Sequence, residues 1–328
     1  MKNSISRRTF LTKTAALGAG AYPAMLALNL LPAAPAHAFD LHAGSGKGKH
    51  LIILGGGLAG MTSAYELRKL GYRCTILEAR QRSGGRCWSV RGGATTAETQ
   101  NPQHTAGFDK GLYFNAGPSR IPHHHQLTMH YCKELGVPLE VYNNVNEGSY
   151  YFAEGKGPLS NKKVRAREIH NDMRGYLNEL LAKAASQHQV DASLSAEDSA
   201  KVLEYLRAEG GLDIDKLYKA SARRGYLEQP GAGNQVGKLG NPHRLADIVS
   251  SGLLDPDFYN VAEYTYELQM TMFQAVGGMD RIAQALEARV ADCLKLGAEV
   301  TTIQNQAEGV KVVYKDQQGT HELTGDLC

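Results

Sequence analysis

Leu51-Ile52-Ile53-Leu54 is a continuous apolar run and predicts a short buried strand. Gly55, Gly57 and Gly60 follow, and the apolar residues then take helical spacing from about Met61 to Leu70. Arg73 to Leu77 reads as a second strand, closed by Glu78. Further along, Leu127 to Leu135 predicts a helix stopped by Gly136, and Pro138 to Tyr142 a short strand. Tyr150 to Phe152 and the turn Gly155-Lys156-Gly157-Pro158 predict a small hairpin. Ile169, Met173, Tyr176, Leu177, Leu180 and Leu181 recur at helical spacing and predict a helix over Arg167 to Ala185. Residues 191–255 alternate short helical stretches with polar loops. Gly277-Gly278-Met279-Asp280 opens another helix, Arg281 to Leu296, before strands at Ala298 to Thr302 and Val310 to Tyr314. Strand, helix and strand in this order predict an α/β fold with a Rossmann-like, doubly wound parallel sheet.

The chain begins differently. Ser6-Arg7-Arg8-Thr9-Phe10-Leu11-Thr12-Lys13 matches a twin-arginine export signal. A weakly apolar stretch, Thr14 to Leu31, and the small-residue site Ala36-His37-Ala38 complete the pattern. Gly18, Gly20 and Pro23 argue against reading that stretch as a membrane anchor. Residues 1–38 are therefore expected to be a leader, directing a folded protein to the periplasm or outside the cell. Residues 39–49 read as a Gly-Ser-Lys linker.

This leader accounts for the basic balance. It carries Lys2, Arg7, Arg8 and Lys13 and no acid, so the formal charge falls from +3 to −1 without it. No basic stripe interleaved with aromatics follows, and a nucleic-acid partner is not expected. The five cysteines, Cys74, Cys87, Cys132, Cys293 and Cys328, are odd in number and lack C-x-x-C spacing, so they imply no complete disulfide framework. His123-His124-His125 is not expected to hold a metal, since neighbouring histidines on a helix point about 100° apart. The three read as a partly exposed helix start. Phe258, Tyr259, Tyr264 and Tyr266 read as core or as the lining of a substrate cavity.

Gly55, Gly57 and Gly60 form G-x-G-x-x-G at the mouth of the strand–helix turn. The first glycine permits the turn, the second lets backbone approach a pyrophosphate, and the third lets helix pack on strand. The helix N-terminus, with Leu58 and Ala59 in its first turn, offers free N–H groups to phosphate. Glu78 at the end of the second strand suits the hydroxyls of an adenosine ribose. A dinucleotide site is expected, the alternative being a glycine-rich turn that binds nothing.

After Glu78 come Ala79-Arg80-Gln81-Arg82-Ser83-Gly84-Gly85-Arg86. This stretch resembles the flavin-containing amine oxidase superfamily, whose second strand runs into E-A-x-x-x-x-G-G-R. The resemblance implies non-covalent FAD as cofactor, with the extension around its diphosphate and Arg86 neutralising phosphate charge. Gly277-Gly278-Met279-Asp280 and Gly297-Ala298-Glu299-Val300 match two later segments of the superfamily, where the backbone at the valine position meets the adenine. Ala275 stands where the family often has proline. Accordingly 50–145 and 275–328 are expected to form an FAD-binding domain, incomplete in this chain, with 146–274 inserted as a mixed or helical substrate domain. A nicotinamide dehydrogenase is a distant alternative.

Phe114-Asn115-Ala116-Gly117-Pro118-Ser119-Arg120-Ile121-Pro122 resembles a segment of the L-amino acid oxidase branch. There the glycine-proline turn, here Gly117, Pro118 and Ser119, passes the flavin, and the arginine, here Arg120, binds the substrate carboxylate. A guanidinium fork forms two parallel hydrogen bonds to a carboxylate. The alternative for Arg120 is a local acid or the flavin phosphates. The resemblance implies oxidative deamination of L-amino acids, giving 2-oxo acids, ammonia and, from dioxygen, hydrogen peroxide. Oxidation of mono- or polyamines, or an inactive flavin-binding subunit, are the alternatives.

The resemblance also implies a catalytic lysine, flanking aromatic residues and a closing FAD motif at positions past Cys328, so no catalytic residue is assigned within the chain. Gly325 to Cys328 matches the start of a further strand, expected to be left unpaired. The expected macromolecular partners are the twin-arginine export machinery and a second copy of the chain or a separate C-terminal fragment.

Overall fold

The run Leu51–Leu54 lies in strand β1 (His50–Leu54), and the helix after it, α1 (Leu58–Lys69), starts three residues before the apolar periodicity announces it. It starts there because Gly57 is its N-cap. β2 (Arg73–Glu78) returns parallel to β1, with Leu51 beside Cys74 and Leu54 beside Leu77. These elements belong to a computed structural model that describes residues 44–96, 103–187, 194–254, 268 and 270–328. The sequence readings of residues 1–38 and of Phe258, Tyr259, Tyr264 and Tyr266 fall outside the described residues. No described helix is long and apolar enough to cross a membrane. Residues 44–49 depart from the linker expectation: Gly44 and Gly46 donate to the Leu70 carbonyl at 3.2 Å, and Lys49 accepts from Arg73 at 3.0 Å.

The chain divides into two compact units, one running to Asn144 and resuming over Thr265–Cys328, the other spanning Val145–Tyr264. After β2 the elements are β3 (Ser89–Arg91), β4 (Tyr113–Asn115), β5 (Ile121–Pro122), α2 (Gln126–Leu135) and β6 (Leu139–Tyr142). The second unit holds β7 (Tyr150–Tyr151), β8 (Val164–Arg165), α3 (Ala166–Ser186), α4 (Ala196–Gly210) and α5 (Leu245–Ser250). The chain ends with β9 (Met272–Ala275), α6 (Asp280–Val290), β10 (Leu294–Leu296) and the strands β11 (Glu299–Asn305), β12 (Val310–Asp316) and β13 (Gly319–Gly325).

The helix read over Arg281 to Leu296 ends at Val290, and Leu294–Leu296 is the third strand of the parallel sheet, paired with Ile76 to Glu78. Leu286, Val290 and Leu294 keep the i, i+4 spacing, so periodicity alone cannot see the break. Pairing with β2 supplies it. The strand expected to stay unpaired instead touches β1: Leu327 bridges Leu51 in parallel, and Ile52 donates to its carbonyl at 2.9 Å.

The sheet is also not doubly wound among the described residues. Its Cys74–Ile76 face packs on Met61 and Ala64 of α1, Ile282 and Leu286 of α6, and Met129 and Cys132 of α2. The opposite face, Ile52 and Leu77, packs on Ala298, Val310, Val312 and Tyr314. Those last three residues are the inward positions of β12, central strand of the antiparallel sheet β11–β12–β13. A half-buried antiparallel sheet needs a partner for its apolar face, and here that partner occupies the side where a second helix layer would lie. Each fully buried aliphatic side chain of this kind contributes about 1.5–3 kcal/mol.

The sequence boundary at 274/275 cuts through β9. That strand pairs antiparallel with β5 and β6, with Phe273 beside both Ile121 and Val141, and so belongs to the first unit. In the second unit, α3 and α4 pack around Ala182, Leu206, Leu212 and Tyr218. Ser195 caps α4 by accepting from Asp198 N, and Gly211 ends it in the left-handed region at φ 63°. Asp172, fully buried, accepts from Tyr218 Oη (2.8 Å), Arg224 Nε (2.6 Å) and His243 N (2.8 Å), which ties the segment after α4 back to α3.

Asp316 supplies a pH-dependent contact in the first unit. Lys295 (3.0 Å), the Gln318 backbone N–H and His321 hold its carboxyl down from 3.8 to about 2. A depressed carboxylate pKa stabilises the fold above its unfolded value and ceases to do so as pH falls through its folded value. The urea midpoint of wild type is therefore expected to exceed that of Asp316→Asn near pH 6, the gap closing as pH approaches about 2. A gap independent of pH would exclude this contribution.

Candidate functional site: a glycine-lined helix mouth and an arginine loop

Gly55 takes φ +101°, and its amide donates to Leu77 O at 2.8 Å, which closes the turn out of β1. A Cβ on Gly60 would fall 2.1 Å from the Gly55 carbonyl, so α1 can approach β1 only with glycine there. Gly57 differs. A Cβ at that position would meet nothing within 4 Å, and the space lies at the start of α1. The first helical bond runs from Met61 N to Gly57 O, which leaves the N–H groups of Leu58, Ala59 and Gly60 without a helical acceptor. No side chain caps them and no acid stands in the first turn. A bound anion would supply the missing acceptors.

The segment after β2 lies across this mouth. Gly84 N donates to Gly56 O at 2.8 Å, Gly57 and Gly84 form a parallel bridge, and Gly85 takes φ +56° with its Cβ direction toward Gly57. Of the three arginines, Arg82 is structural: it donates to Gly85 O at 2.8 Å and covers the Trp88 ring at 4.5 Å. Burial, then Arg80, lowers its pKa. Arg86 is exposed and has no hydrogen-bond partner among the described residues, leaving a cation at the glycine loop. Ala79 and Arg80 are exposed beside it.

Glu78 is buried, and each of its oxygens takes one backbone N–H, Oε2 from Gly56 (2.7 Å) and Oε1 from Arg80 (2.8 Å). A carboxylate oxygen accepts two hydrogen bonds, so each retains a lone pair for a further donor. The Glu78 and Arg80 carbonyls accept from Ala298 N (2.8 Å) and Gly297 N (2.9 Å), which sets the segment leading to Val300 beside the end of β2.

The Gly117–Arg120 loop reaches the same place by another route. β3 pairs antiparallel with β4, and Ala116 N donates to Trp88 O at 3.0 Å. A Cβ on Gly117 would fall 1.9 Å from Arg86 O, so the two segments cross at backbone contact. Pro118 is exposed and Ser119 half-buried. Arg120 is exposed, and no acid among the described residues pairs with it. The imidazoles of His123, His124 and His125 pack edge to face, at 5.5 and 4.8 Å, and lead into α2 with His125 as N-cap.

One cluster was not legible in the sequence. Arg91 makes a two-pronged contact with Asp280, at 2.7 and 2.9 Å, and donates to Gly277 O at 2.6 Å. Asn115 Oδ1 accepts from Ser89 Oγ (2.6 Å) and Met279 N (3.0 Å). Together these fix the end of β4, from which the Arg120 loop departs, onto the start of α6. The partners lie far apart in sequence: Gly277–Asp280 and Asn115 belong to motif segments, whereas Ser89 and Arg91 belong to none.

Residues 58–327 match the flavin containing amine oxidoreductases, and the chain belongs to that family. It is 29% identical over 273 residues to an L-amino-acid oxidase of Gloydius blomhoffii, covering 81% of this chain and 48% of that protein. It is 28% identical over 286 residues to an L-amino acid oxidase of Bothrops pictus, covering 85% and 51%. The chain thus spans about half the length of these relatives. Among solved structures, a double mutant of putrescine oxidase aligns at 18% identity with a TM-score of 0.40, covering 85% of this chain and 57% of that one.

Proposed function

We propose that the protein binds FAD non-covalently and oxidatively deaminates L-amino acids, releasing 2-oxo acids, ammonia and hydrogen peroxide. The observation that carries the substrate class is Arg120: an exposed guanidinium with no acid paired to it among the described residues, on a loop anchored by Gly117 against Arg86 O. The residues present fit the cofactor. The open space at Gly57, the three uncapped N–H groups and Arg86 suit a diphosphate. The remaining lone pairs of Glu78 suit ribose hydroxyls, and the Val300 backbone suits an adenine edge. When bound, FAD supplies a two-electron acceptor that dioxygen can reoxidise.

The chain's own part is binding and orientation. Arg120 would hold the carboxylate by two parallel hydrogen bonds and so fix which face of the α-carbon is presented. The first unit is proposed as the FAD-binding domain and the second as the substrate domain, with residues 1–38 as a twin-arginine leader to the periplasm or beyond. Turnover of an L-amino acid, with the amine formed by removing its carboxylate inert, is the expected result. Turnover of the amine alone would make the protein an amine oxidase without carboxylate recognition.

A further inference from the structure

We propose that Tyr151 is a nucleophilic tyrosine, activated by His170 and Glu147 and modified at its hydroxyl by acyl and sulfonyl donors. Tyr151 Oη lies 2.7 Å from His170 Nε2, and His170 Nδ1 lies 3.0 and 3.1 Å from the two oxygens of Glu147. An ionised carboxylate only accepts, so Nδ1 carries a hydrogen and donates it to Glu147. In the neutral imidazole Nε2 then keeps its lone pair, and the phenol donates to it. Carboxylate, imidazole and hydroxyl in this order are the parts of a nucleophile with its base and the group that orients the base.

Local structure holds the three together within the second unit. Tyr151 ends β7 and stands beside Val164 of β8. Its ring packs on the cluster that includes Val164, Ile169 and Met173, and meets the imidazole at 66° with centroids 5.6 Å apart. His170 stands in the second turn of α3. Arg167 N donates to Glu147 O at 3.1 Å and Ala166 N to Ser149 O at 2.9 Å, which clamps the Glu147 segment to the start of that helix. All three residues are half-buried, so a small electrophile reaches them from solvent.

Other tyrosines are placed differently. Tyr65 and Tyr218 donate to carboxylates, Glu134 at 2.7 Å and Asp172 at 2.8 Å. A carboxylate is a weaker base than imidazole by about two pKa units. Tyr150 and Tyr205 are exposed, and their hydroxyls have no hydrogen-bond partner among the described residues. At Tyr151 the phenol oxygen attacks the acyl carbon or sulfonyl sulfur. A C–O or S–O bond forms, and the bond to the leaving group breaks, its electron pair departing with that group. The phenol proton passes to His170 Nε2, then to the leaving group or water, with nothing oxidised or reduced. Glu147 is a positioning residue: it fixes the tautomer and stabilises the imidazolium. None of the three is among the residues proposed above to hold FAD or substrate, and the test needs neither.

The test is peptide mapping of the full chain after brief treatment with benzenesulfonyl fluoride at about pH 7.5, the label on each tyrosine being read by mass spectrometry. General-base assistance contributes about 100-fold or more, and half-burial takes back part of it, so Tyr151 is expected to be labelled at least about 10-fold faster than Tyr150 and Tyr205. His170→Phe is expected to remove that difference and Glu147→Gln to remove most of it, with the rates at Tyr150 and Tyr205 unchanged. Glu147→Gln keeps the imidazole in place and decides the matter where His170→Phe misfolds. Tyr151 labelled no faster than Tyr150 and Tyr205 would overturn the proposal. So would a Tyr151 rate that a folded variant leaves unmoved, or label carried by His170 in place of Tyr151.

Discussion

Gly57→Val is expected to abolish FAD retention while leaving the apoprotein folded. Its backbone is extended at φ −76°, ψ 178°, which a β-branched residue adopts without strain, and no atom lies within 4 Å of the new Cβ. The added methyls would instead occupy the space before the N–H groups of Leu58, Ala59 and Gly60. Losing two hydrogen bonds to a charged phosphate, at about 1.5–3 kcal/mol each, raises the FAD dissociation constant by at least about 100-fold. Gly60→Val is the contrast, since its Cβ would strike Gly55 O at 2.1 Å and lower the melting temperature itself. Flavin fluorescence titration with thermal melts of both variants checks the pair. Undiminished FAD affinity in Gly57→Val would remove the phosphate from this helix mouth.

Arg120→Ala is expected to raise KM for L-amino acids by about 10- to 100-fold, from the loss of a two-pronged charged contact. Arg120→Lys should fall between, because an ammonium offers a point charge and no fork. An effect on KM with kcat little changed marks lost ground-state binding. Steady-state kinetics on an amino acid and its decarboxylated amine separate this role from a general loss of structure, since only the amino acid should suffer. Unchanged KM would leave Arg120 without the carboxylate.

What could be read from the chain was what is local. The glycine turn, the helix after it, Glu78 and the G-G-R extension fall within 32 residues, Gly55 to Arg86, and each carries its own stereochemical reason. The structure sets them face to face, as in the Gly84–Gly56 bond. What could not be read depends on partners distant in sequence. Leu294–Leu296 continues a helical apolar pattern and becomes a strand because β2 has an open edge beside it. The packing of β12 on one face of the sheet follows from its need to cover Val310, Val312 and Tyr314. The Arg91–Asp280 contact joins two ordinary charged residues that no local pattern links.

Flavin reduction by an amino acid is read most directly from the visible spectrum of the FAD-loaded protein under anaerobic conditions as an L-amino acid is added. The flavin band is expected to bleach with the amino acid and to return with air, while the matching amine leaves it unchanged. A protein that stays colourless after incubation with FAD, or a band bleached by the amine and not by the amino acid, would contradict the proposed function.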